Sequence, residues 1–203
     1  AKVYRYERPQ SGRNREFTQW GFECFGSNDV ISDAEVISLA YNAYRLLGLD
    51  NVCVRLNTLG DDESRNNYRE ALINYFRPHI DSLCEDCKNR LEKNPLRILD
   101  CKVDAENEIM AGAPKILDYL NEESKQRFES LCELLDLMDI NYEVDPRLVR
   151  GLDYYNHTVF EITLNNSYAL GGGGRYNSLV ETLGGPSFPG LGFAIGYDRP
   201  ILA

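Results

Sequence analysis

The chain has 203 residues, 43% of them hydrophobic and 27% charged, and a net charge of −10. This composition is that of a water-soluble globular protein, large enough for one substantial domain with an insertion. No apolar run approaches the roughly 20 residues of a membrane helix, and the polar N-terminus lacks the apolar core of a signal peptide. We therefore expect a soluble, cytoplasmic protein with no membrane partner.

The negative charge is confined to the middle of the sequence. Residues 61–145 carry 11 basic and 21 acidic side chains, whereas residues 1–60 carry 7 of each and residues 146–203 carry 4 of each. An excess of acid disfavours a nucleic-acid-binding surface, but both neutral flanks contain closely spaced arginines. The distribution predicts two flanks that form one unit and a separate acidic insertion between them.

Hydrophobic periodicity indicates the elements in chain order. The predictions are strands at 3–8 and 15–25, a helix at 33–48, a strand at 51–58, helices between 61 and 141, a strand at 158–164, a helix at 175–184 and a strand at 191–197. Turn residues separate the first two strands, which therefore form an antiparallel hairpin. Ser32 or Asp33 can cap the first helix, and Gly48 suits its end.

The order of these elements predicts an α+β fold, in which an antiparallel β-sheet is flanked by helices and interrupted by an all-helical insertion domain. We expect a core made of residues 1–60 and 146–203, with the insertion at 61–145. The glycine run at 171–174 is not a nucleotide-binding fingerprint. It lacks the G-x-G-x-x-G spacing of a dinucleotide fold and the GK[ST] of a P-loop.

Six cysteines are scattered through the predicted strands and helices, unlike the dense framework of a small secreted domain. Cys84 and Cys87 have the C-x-x-C spacing of a metal knuckle, but a structural zinc site usually needs four ligands. Cys101 is isolated in the sequence, and His79 is the only histidine near the pair. We therefore expect reduced thiols and no metal bound by protein side chains.

Arginines and aromatic residues concentrate around the first hairpin. Five basic residues occur among residues 1–20, and guanidinium forks match phosphate geometry, so a polyphosphate ligand is a natural interpretation. Alternate residues of a strand share a face, which groups Phe17, Gln19 and Glu23. Such a face is a poor core and a reasonable floor for a polar ligand. A solvated basic loop is the alternative interpretation.

Three further segments lie in the second flank. They are the R-G-L-D-Y-Y segment at 150–155, the glycine run followed by Arg175 and Tyr176, and the small-residue strand that ends in Asp198 and Arg199. Each is weak alone, because an Arg-Gly step with paired tyrosines is often a structural turn. Four glycines allow either a backbone or a ligand to approach closely.

Together and in this order, the four segments resemble those of the histidyl-tRNA synthetases, a family of class II aminoacyl-tRNA synthetases. Residues 5–23 resemble the second class motif, RGLDYYNHTVFE (150–161) and GGGRYNSLV (172–180) the two histidine-specific segments, and GFAIGYDR (192–199) the start of the third motif. The insertion is also similar, particularly CEDCKNRLEKNPLRILDCK (84–102). The resemblance implies a histidine–tRNA ligase, which activates histidine with ATP to histidyl-adenylate and pyrophosphate and then transfers histidine to the 3′ end of its tRNA.

The resemblance implies an ATP site on the sheet, with Mg²⁺ carried by ATP. The residues that it assigns to ATP are Arg5 at the α-phosphate, Glu7 at adenine, Arg13 at the γ-phosphate, Phe17 stacked on adenine, Gln19 beside them, and Arg199 on the other face of adenine. Arg150 and Arg5 are assigned to catalysis, with Arg150 between the α-phosphate and the histidine carboxylate. No protein base is required, because the attacking carboxylate is already ionised.

A histidine pocket is implied in the same way. The residues assigned to it are Gln19, Glu23, Arg150, Tyr154, Tyr155, Gly172, Gly173 and Tyr176. Glu23 would accept from one ring N–H and Tyr155 would address the other nitrogen, so a wrong amino acid leaves buried groups unpaired. The chain's own histidines, His79 and His157, have no role in this scheme.

The partners implied are L-histidine, ATP, histidine tRNA and a second copy, since the full-length enzyme is a homodimer. The first class motif and an anticodon-binding domain do not occur among the 203 residues. We therefore expect a piece of a longer enzyme that retains weak ATP or histidine binding and charges tRNA poorly. The insertion is expected to approach the acceptor arm of the tRNA, using local patches such as Arg65, Arg69 and Arg77.

Two non-enzymatic interpretations share part of this pattern. The regulatory paralogue of ATP phosphoribosyltransferase binds histidine as a sensor, but it needs no phosphate clamp and as a rule lacks the insertion. A synthetase-like signalling module that binds uncharged tRNA likewise needs no clamp. The presence of Arg5, Glu7, Arg13 and Arg199 favours the enzyme.

Overall fold

The computed structural model describes residues 1–6, 14–165 and 168–202. These residues form a seven-stranded sheet in the order β1-β2-β7-β6-β5-β3-β4. The strands are β1 Lys2–Tyr4, β2 Glu16–Phe25, β3 Val52–Thr58, β4 Tyr142–Val144, β5 Asn156–Leu164, β6 Tyr168–Arg175 and β7 Gly190–Gly196. Neighbouring strands are antiparallel, except that β4 runs parallel to β3.

The helices of the described residues fall mainly between β3 and β4. They are α1 Val30–Leu46, α2 Asp62–Phe76, α3 Glu85–Lys93, α4 Glu108–Ala111, α5 Glu122–Leu137, α6 Leu179–Thr182 and α7 Asp198–Leu202, with 3₁₀ turns at Arg77–Ser82, Pro95–Ile98 and Ile116–Tyr119. This arrangement confirms the α+β class. The predicted hairpin is also confirmed, since β1 and β2 pair antiparallel with Val3 opposite Phe17.

Four details of the predicted elements were wrong, and one of them is the helix predicted at 175–184, of which only Leu179–Thr182 is helical. Asp29, not Ser32 or Asp33, caps α1, because its carboxylate accepts the N–H of Ile31 at 2.9 Å. The glycine run lies within strand β6, where pairing to β5 and β7 on both sides compensates for its low strand propensity. The insertion at residues 61–145 was predicted to be all-helical, but it ends in strand β4. The three residues of this strand are too few to show an alternation.

Two apolar clusters make up the interior. The first packs α1 and α5 against one face of the sheet, with Tyr44, Leu131 and Phe160 at 0 to 1% exposure. The second lies among α2, α3 and the 3₁₀ turns and reaches Val159 of β5 and Tyr155, which immediately precedes that strand. The domain limits at residues 61 and 145 stay a prediction. Within them, α2 and α3 contribute to the second cluster and α5 to the first.

A buried ion cluster fixes the end of β6. Arg175 and Asp33 are both fully buried, and the guanidinium donates to the Asp33 carboxylate from Nη2 at 2.7 Å and from Nε at 3.1 Å. Arg127 of α5 donates to the same carboxylate at 2.6 Å, and Arg175 Nη1 donates to the Ser27 carbonyl at 2.8 Å. The cluster thus ties strand β6 to the start of α1 and to α5.

Candidate active site on the open face of the sheet

The sheet has one apolar face and one face of small and polar residues. On β2, Trp20 and Phe22 point to the helix-covered side, where their rings lie 5.5 and 6.2 Å from that of Phe193. Phe17, Gln19 and Glu23 alternate with them and therefore lie on the other side. The grouping of Phe17, Gln19 and Glu23 predicted from the sequence thus agrees with the sheet.

Small residues on β6 and β7 keep this open face accessible. A Cβ added to Gly192 would collide with the Glu23 carboxylate, and one added to Gly190 would collide with the Tyr176 ring. A Cβ on Gly172 would lie 2.9 Å from Nη1 of Arg150. The glycines leave room for charged and aromatic side chains to lie flat against the sheet.

A cavity of about 290 Å³ opens on this face. Five of the residues predicted for ATP, histidine or catalysis line it, namely Arg5, Phe17, Gln19, Arg150 and Gly172. The guanidinium carbon of Arg5 lies 4.2 Å from the centroid of the Phe17 ring, and its Nε donates to the Asn14 carbonyl at 2.9 Å. A cation held over an aromatic ring offers both charge and a flat apolar surface to a nucleotide.

Arg150 lies at the centre of the candidate site. Its guanidinium forms an ion pair with Glu161 of β5, and the other carboxylate oxygen of Glu161 is 4.0 Å from Arg55. The Nε atom of Arg150 is buried and has no hydrogen-bond partner among the described residues. An unpaired buried donor costs free energy, so this geometry favours an acceptor, such as an anion, beside Arg150.

Glu23 and three tyrosines form a second part of the site. The hydroxyl of Tyr176 donates to the Glu23 carboxylate, and the Tyr154 ring lies 4.6 Å from that of Tyr155 and 5.8 Å from that of Tyr176. Burial, and then the hydrogen bond to Glu23, raise the pKa of Tyr176, so the phenol stays protonated and acts as a donor at neutral pH. Aromatic walls with one fixed carboxylate suit a flat, cationic or N–H-bearing ring.

The structure does not place every predicted residue at the candidate site. Glu7 and Arg13 lie outside the described residues, as does the side chain of Arg199. Gly173 is directed away from Arg150, because a Cβ there would meet Phe193 on the helix side of the sheet. His157, which was given no role, lines neither of the two parts described above.

Sequence inspection missed Glu161 and Arg55. Glu161 is the charged residue of strand β5, and Arg55 is the charged residue of strand β3. A single charge in a buried strand needs a partner of opposite charge. The sequence therefore contained a sign that both residues are functionally or structurally paired. Without the strand order, the sequence could not show that β3 and β5 are neighbours, with Arg55 opposite Glu161.

Basic residues gather where the insertion meets the site. Arg65, Arg69, Lys93, Arg97 and Arg150 line a cavity of about 210 Å³. Arg65 contacts the loop that contains Tyr154 and Tyr155 directly, because its Nη1 donates to the Tyr155 carbonyl at 3.0 Å. Of the three arginines proposed as local patches, Arg65 and Arg69 line this cavity and Arg77 does not.

The insertion also brings together residues that could hold a metal. Ligand atoms of Cys84, Cys87, Cys101 and Asp104 all lie within 4.8 Å of one another. Cys101, isolated in the sequence, has its sulfur 3.7 Å from that of Cys84. The chain between them folds back through α3 and the 3₁₀ turn at Pro95–Ile98, which spacing alone does not reveal.

The sheet order and the site on its open face agree with the catalytic core of a class II aminoacyl-tRNA synthetase. The family model described as histidyl-tRNA synthetase matches residues 1–199. The chain belongs to the histidyl-tRNA synthetase family. In the described residues, no helix is both long and apolar enough to cross a membrane.

Individual relatives agree with this assignment. The chain is 56% identical to a histidine–tRNA ligase of Bacillus cytotoxicus, with 100% of this chain and 49% of the relative covered. It is 53% identical to that of Bacillus subtilis, with 99% and 49% covered. The solved structure of apo histidyl-tRNA synthetase from S. aureus is 41% identical, with a TM-score of 0.78 and with 99% of this chain and 48% of that one covered. The chain thus spans about half the length of the relatives it matches.

Proposed function

We propose that this chain carries the histidine-activating site of a histidine–tRNA ligase. The reaction joins L-histidine to the α-phosphate of ATP and then transfers the histidyl group to the 3′ end of its tRNA. The main support is Arg150, whose buried Nε lacks a partner among the described residues and whose side chain lines the cavity on the sheet. Membership of the family adds to that support.

In the proposed first step, a carboxylate oxygen of histidine attacks the α-phosphorus of ATP in line. The bond from the α-phosphorus to the bridging oxygen breaks, and pyrophosphate leaves with the Mg²⁺ that entered with ATP. Arg150 lies between the two anions and stabilises the charge that develops on the α-phosphate, while Arg5 holds the same phosphate. Bringing two anions together requires such cations.

The proposed substrates occupy two parts of one face. Adenine lies against Phe17, with the phosphates reaching toward Arg150 and, by family resemblance, toward Arg13 and Arg199. The imidazole of histidine lies among the tyrosines, where Glu23 accepts from a ring N–H. The contact of Tyr176 with Glu23 supports this placement, because it fixes the carboxylate as an acceptor for the ring.

Histidine-dependent exchange of pyrophosphate into ATP tests this proposal. It is measured in this chain and in the longer polypeptide that restores the flanking segments. Arg150→Ala is expected to lower the exchange rate by about 100-fold or more, the cost of losing a charge-stabilising donor. Arg147→Ala is the matched control: this exposed arginine is three positions away and does not line the cavity, so its rate is expected to stay within about twofold.

Two results would overturn the proposal. One is undiminished exchange by the Arg150→Ala variant. The other is histidine binding by calorimetry without exchange in the longer polypeptide, which is the behaviour of a histidine sensor.

We further propose that the basic cavity beside the insertion receives the acceptor end of the tRNA. The support is that four basic residues of the insertion line this cavity beside Arg150, although the insertion is acidic overall. They are Arg65, Arg69, Lys93 and Arg97. Arg69→Ala is expected to weaken tRNA binding and to reduce its salt dependence, because a cation–phosphate contact is lost. Arg77→Ala, an exposed arginine outside the cavity, is the control, and equal effects of the two variants on binding would contradict the assignment.

By family resemblance, we also propose that the complete enzyme is a cytoplasmic homodimer. Sedimentation of the longer polypeptide as a monomer at micromolar concentration would contradict the dimer.

A further inference from the structure

The cysteine cluster of the insertion has the dimensions of a metal site. The sulfur atoms of Cys84 and Cys101 are 3.7 Å apart, and the ligand atoms of Cys87 and Asp104 lie within 4.8 Å of both. Zinc–sulfur bonds of about 2.3 Å in a tetrahedron place the sulfurs about 3.8 Å apart. The observed separation therefore matches one edge of a tetrahedral zinc–thiolate site.

The spacing of the four residues is that of two metal knuckles. Cys84 and Cys87 form one C-x-x-C step, and Cys101 and Asp104 form an equivalent C-x-x-D step. Two such steps, brought together in space, are a common source of the four ligands of a structural zinc site.

Burial and charge both favour a bound cation. Cys87, Cys101 and Asp104 are 0, 5 and 6% exposed. The Asp104 carboxylate accepts the Cys84 N–H at 3.2 Å, yet it takes part in none of the ion pairs among the described residues. A buried carboxylate without a cation is costly, and it retains lone pairs for a further partner.

We propose that Cys84, Cys87, Cys101 and Asp104 bind one structural zinc ion. Three thiolates and one carboxylate complete a closed tetrahedral shell, and thiolates select zinc over the harder divalent cations. This proposal revises the expectation from the sequence that no side chains of the protein bind a metal. The site belongs to the insertion and does not depend on the reaction proposed for the sheet.

The ion would stabilise a segment with few regular elements. Residues 77–120 contain two short helices and three 3₁₀ turns, and small folds of this kind often need a cross-link. The loop closed by Cys87 and Cys101 carries Asn94, whose amide donates to the Asp153 carboxylate at 2.5 Å. Zinc thus holds the part of the insertion that contacts the loop following Arg150.

The test is metal analysis of the full chain purified under reducing conditions from zinc-containing medium. We expect one zinc ion per chain. We also expect that Co²⁺ added to the metal-free chain gives the intense visible and thiolate charge-transfer bands of a tetrahedral thiolate site. In Cys101→Ser, metal affinity should fall by more than about 100-fold, because loss of a direct ligand exceeds the effect of a supporting contact. Cys132→Ser, a cysteine of α5 outside the cluster, should retain wild-type affinity.

Asp104→Cys provides a variant that folds if the proposal is right. It completes a four-cysteine shell, so it should bind zinc at one ion per chain and increase the thiolate charge-transfer absorption of the Co²⁺ form. The proposal is overturned if the wild-type chain lacks stoichiometric zinc and gives no tetrahedral Co²⁺ spectrum. It is equally overturned if Cys101→Ser binds metal as tightly as the wild type, or if the metal-free chain contains a disulfide between Cys84 and Cys101 that reductant does not open.

Discussion

Glu23 and Tyr176 are separated by 153 positions, yet the tyrosine hydroxyl donates to the carboxylate. The contact fixes which oxygen of Glu23 remains available for a ligand, and burial raises the pKa of Tyr176 so that it remains a donor. The sequence resemblance gave Tyr155 the direct role in addressing the histidine ring. In the structure Tyr155 is buried beside Tyr154, and Tyr176 makes the bond to Glu23.

Tyr176→Phe is therefore expected to raise the KM for histidine in pyrophosphate exchange by about tenfold to 100-fold. The reason is that a hydrogen bond to a charged group is worth about 1.5–3 kcal/mol, while the phenylalanine ring keeps the aromatic packing. The KM for ATP should change little. A parallel increase in both KM values would show that Tyr176 supports the fold of the site as a whole and does not position Glu23 specifically.

Individual site residues differed in how far the sequence could indicate them. Phe17, Gln19 and Glu23 followed from the two-residue period of a strand, which holds wherever a strand is correctly identified. The ion pair of Arg150 with Glu161 could not be predicted in this way, because the two residues occupy different elements and the loop that carries Arg150 has no periodicity. Glu161 is placed by the register of β5 against β3 and β6, which is a long-range property.

At the scale of elements, long segments with clear periodicity were predictable and short ones were not. The hairpin, α1 and β3 were predicted from their periodicity, whereas the three residues of β4 show no pattern and the helix predicted at 175–184 has only the four residues of α6. Strand β6 was missed for another reason. Its glycines have low strand propensity, but only glycine fits Gly173, where any Cβ would clash with the backbone of β7.

Strand β6 is also fixed by the buried ion cluster at its end. Asp33→Asn leaves the buried Arg175 guanidinium without its counter-charge, so we expect the free energy of unfolding to fall by about 3–5 kcal/mol. Chemical denaturation followed by circular dichroism measures this loss. Glu16→Gln removes the exposed ion pair with Lys2, whose side chains are 53 and 69% exposed, and should leave stability nearly unchanged. Equal stabilities of the two variants would contradict a structural role for the cluster.

At the scale of the whole molecule, the loop at residues 153–155 is the place where the insertion contacts the candidate site. Arg65 of α2 donates to the carbonyl of Tyr155 and Asn94 to the carboxylate of Asp153, so residues 153–155 are held from the insertion side while Arg150 is held by Glu161 on the sheet. Charge distribution predicted a separate acidic insertion. It could not predict that the basic residues of this segment would face the site, because helix packing decides which side of α2 points inward.

Direct detection of histidyl-adenylate tests whether this face of the sheet is an activation site. The longer polypeptide is mixed with labelled ATP and histidine, with pyrophosphatase to prevent reversal, and the bound product is quenched and quantified in a single turnover. We expect about one adenylate per site, dependent on histidine, and almost none in Arg150→Ala. Histidine and ATP that both bind without forming adenylate would contradict the proposed function and leave a binding module in its place.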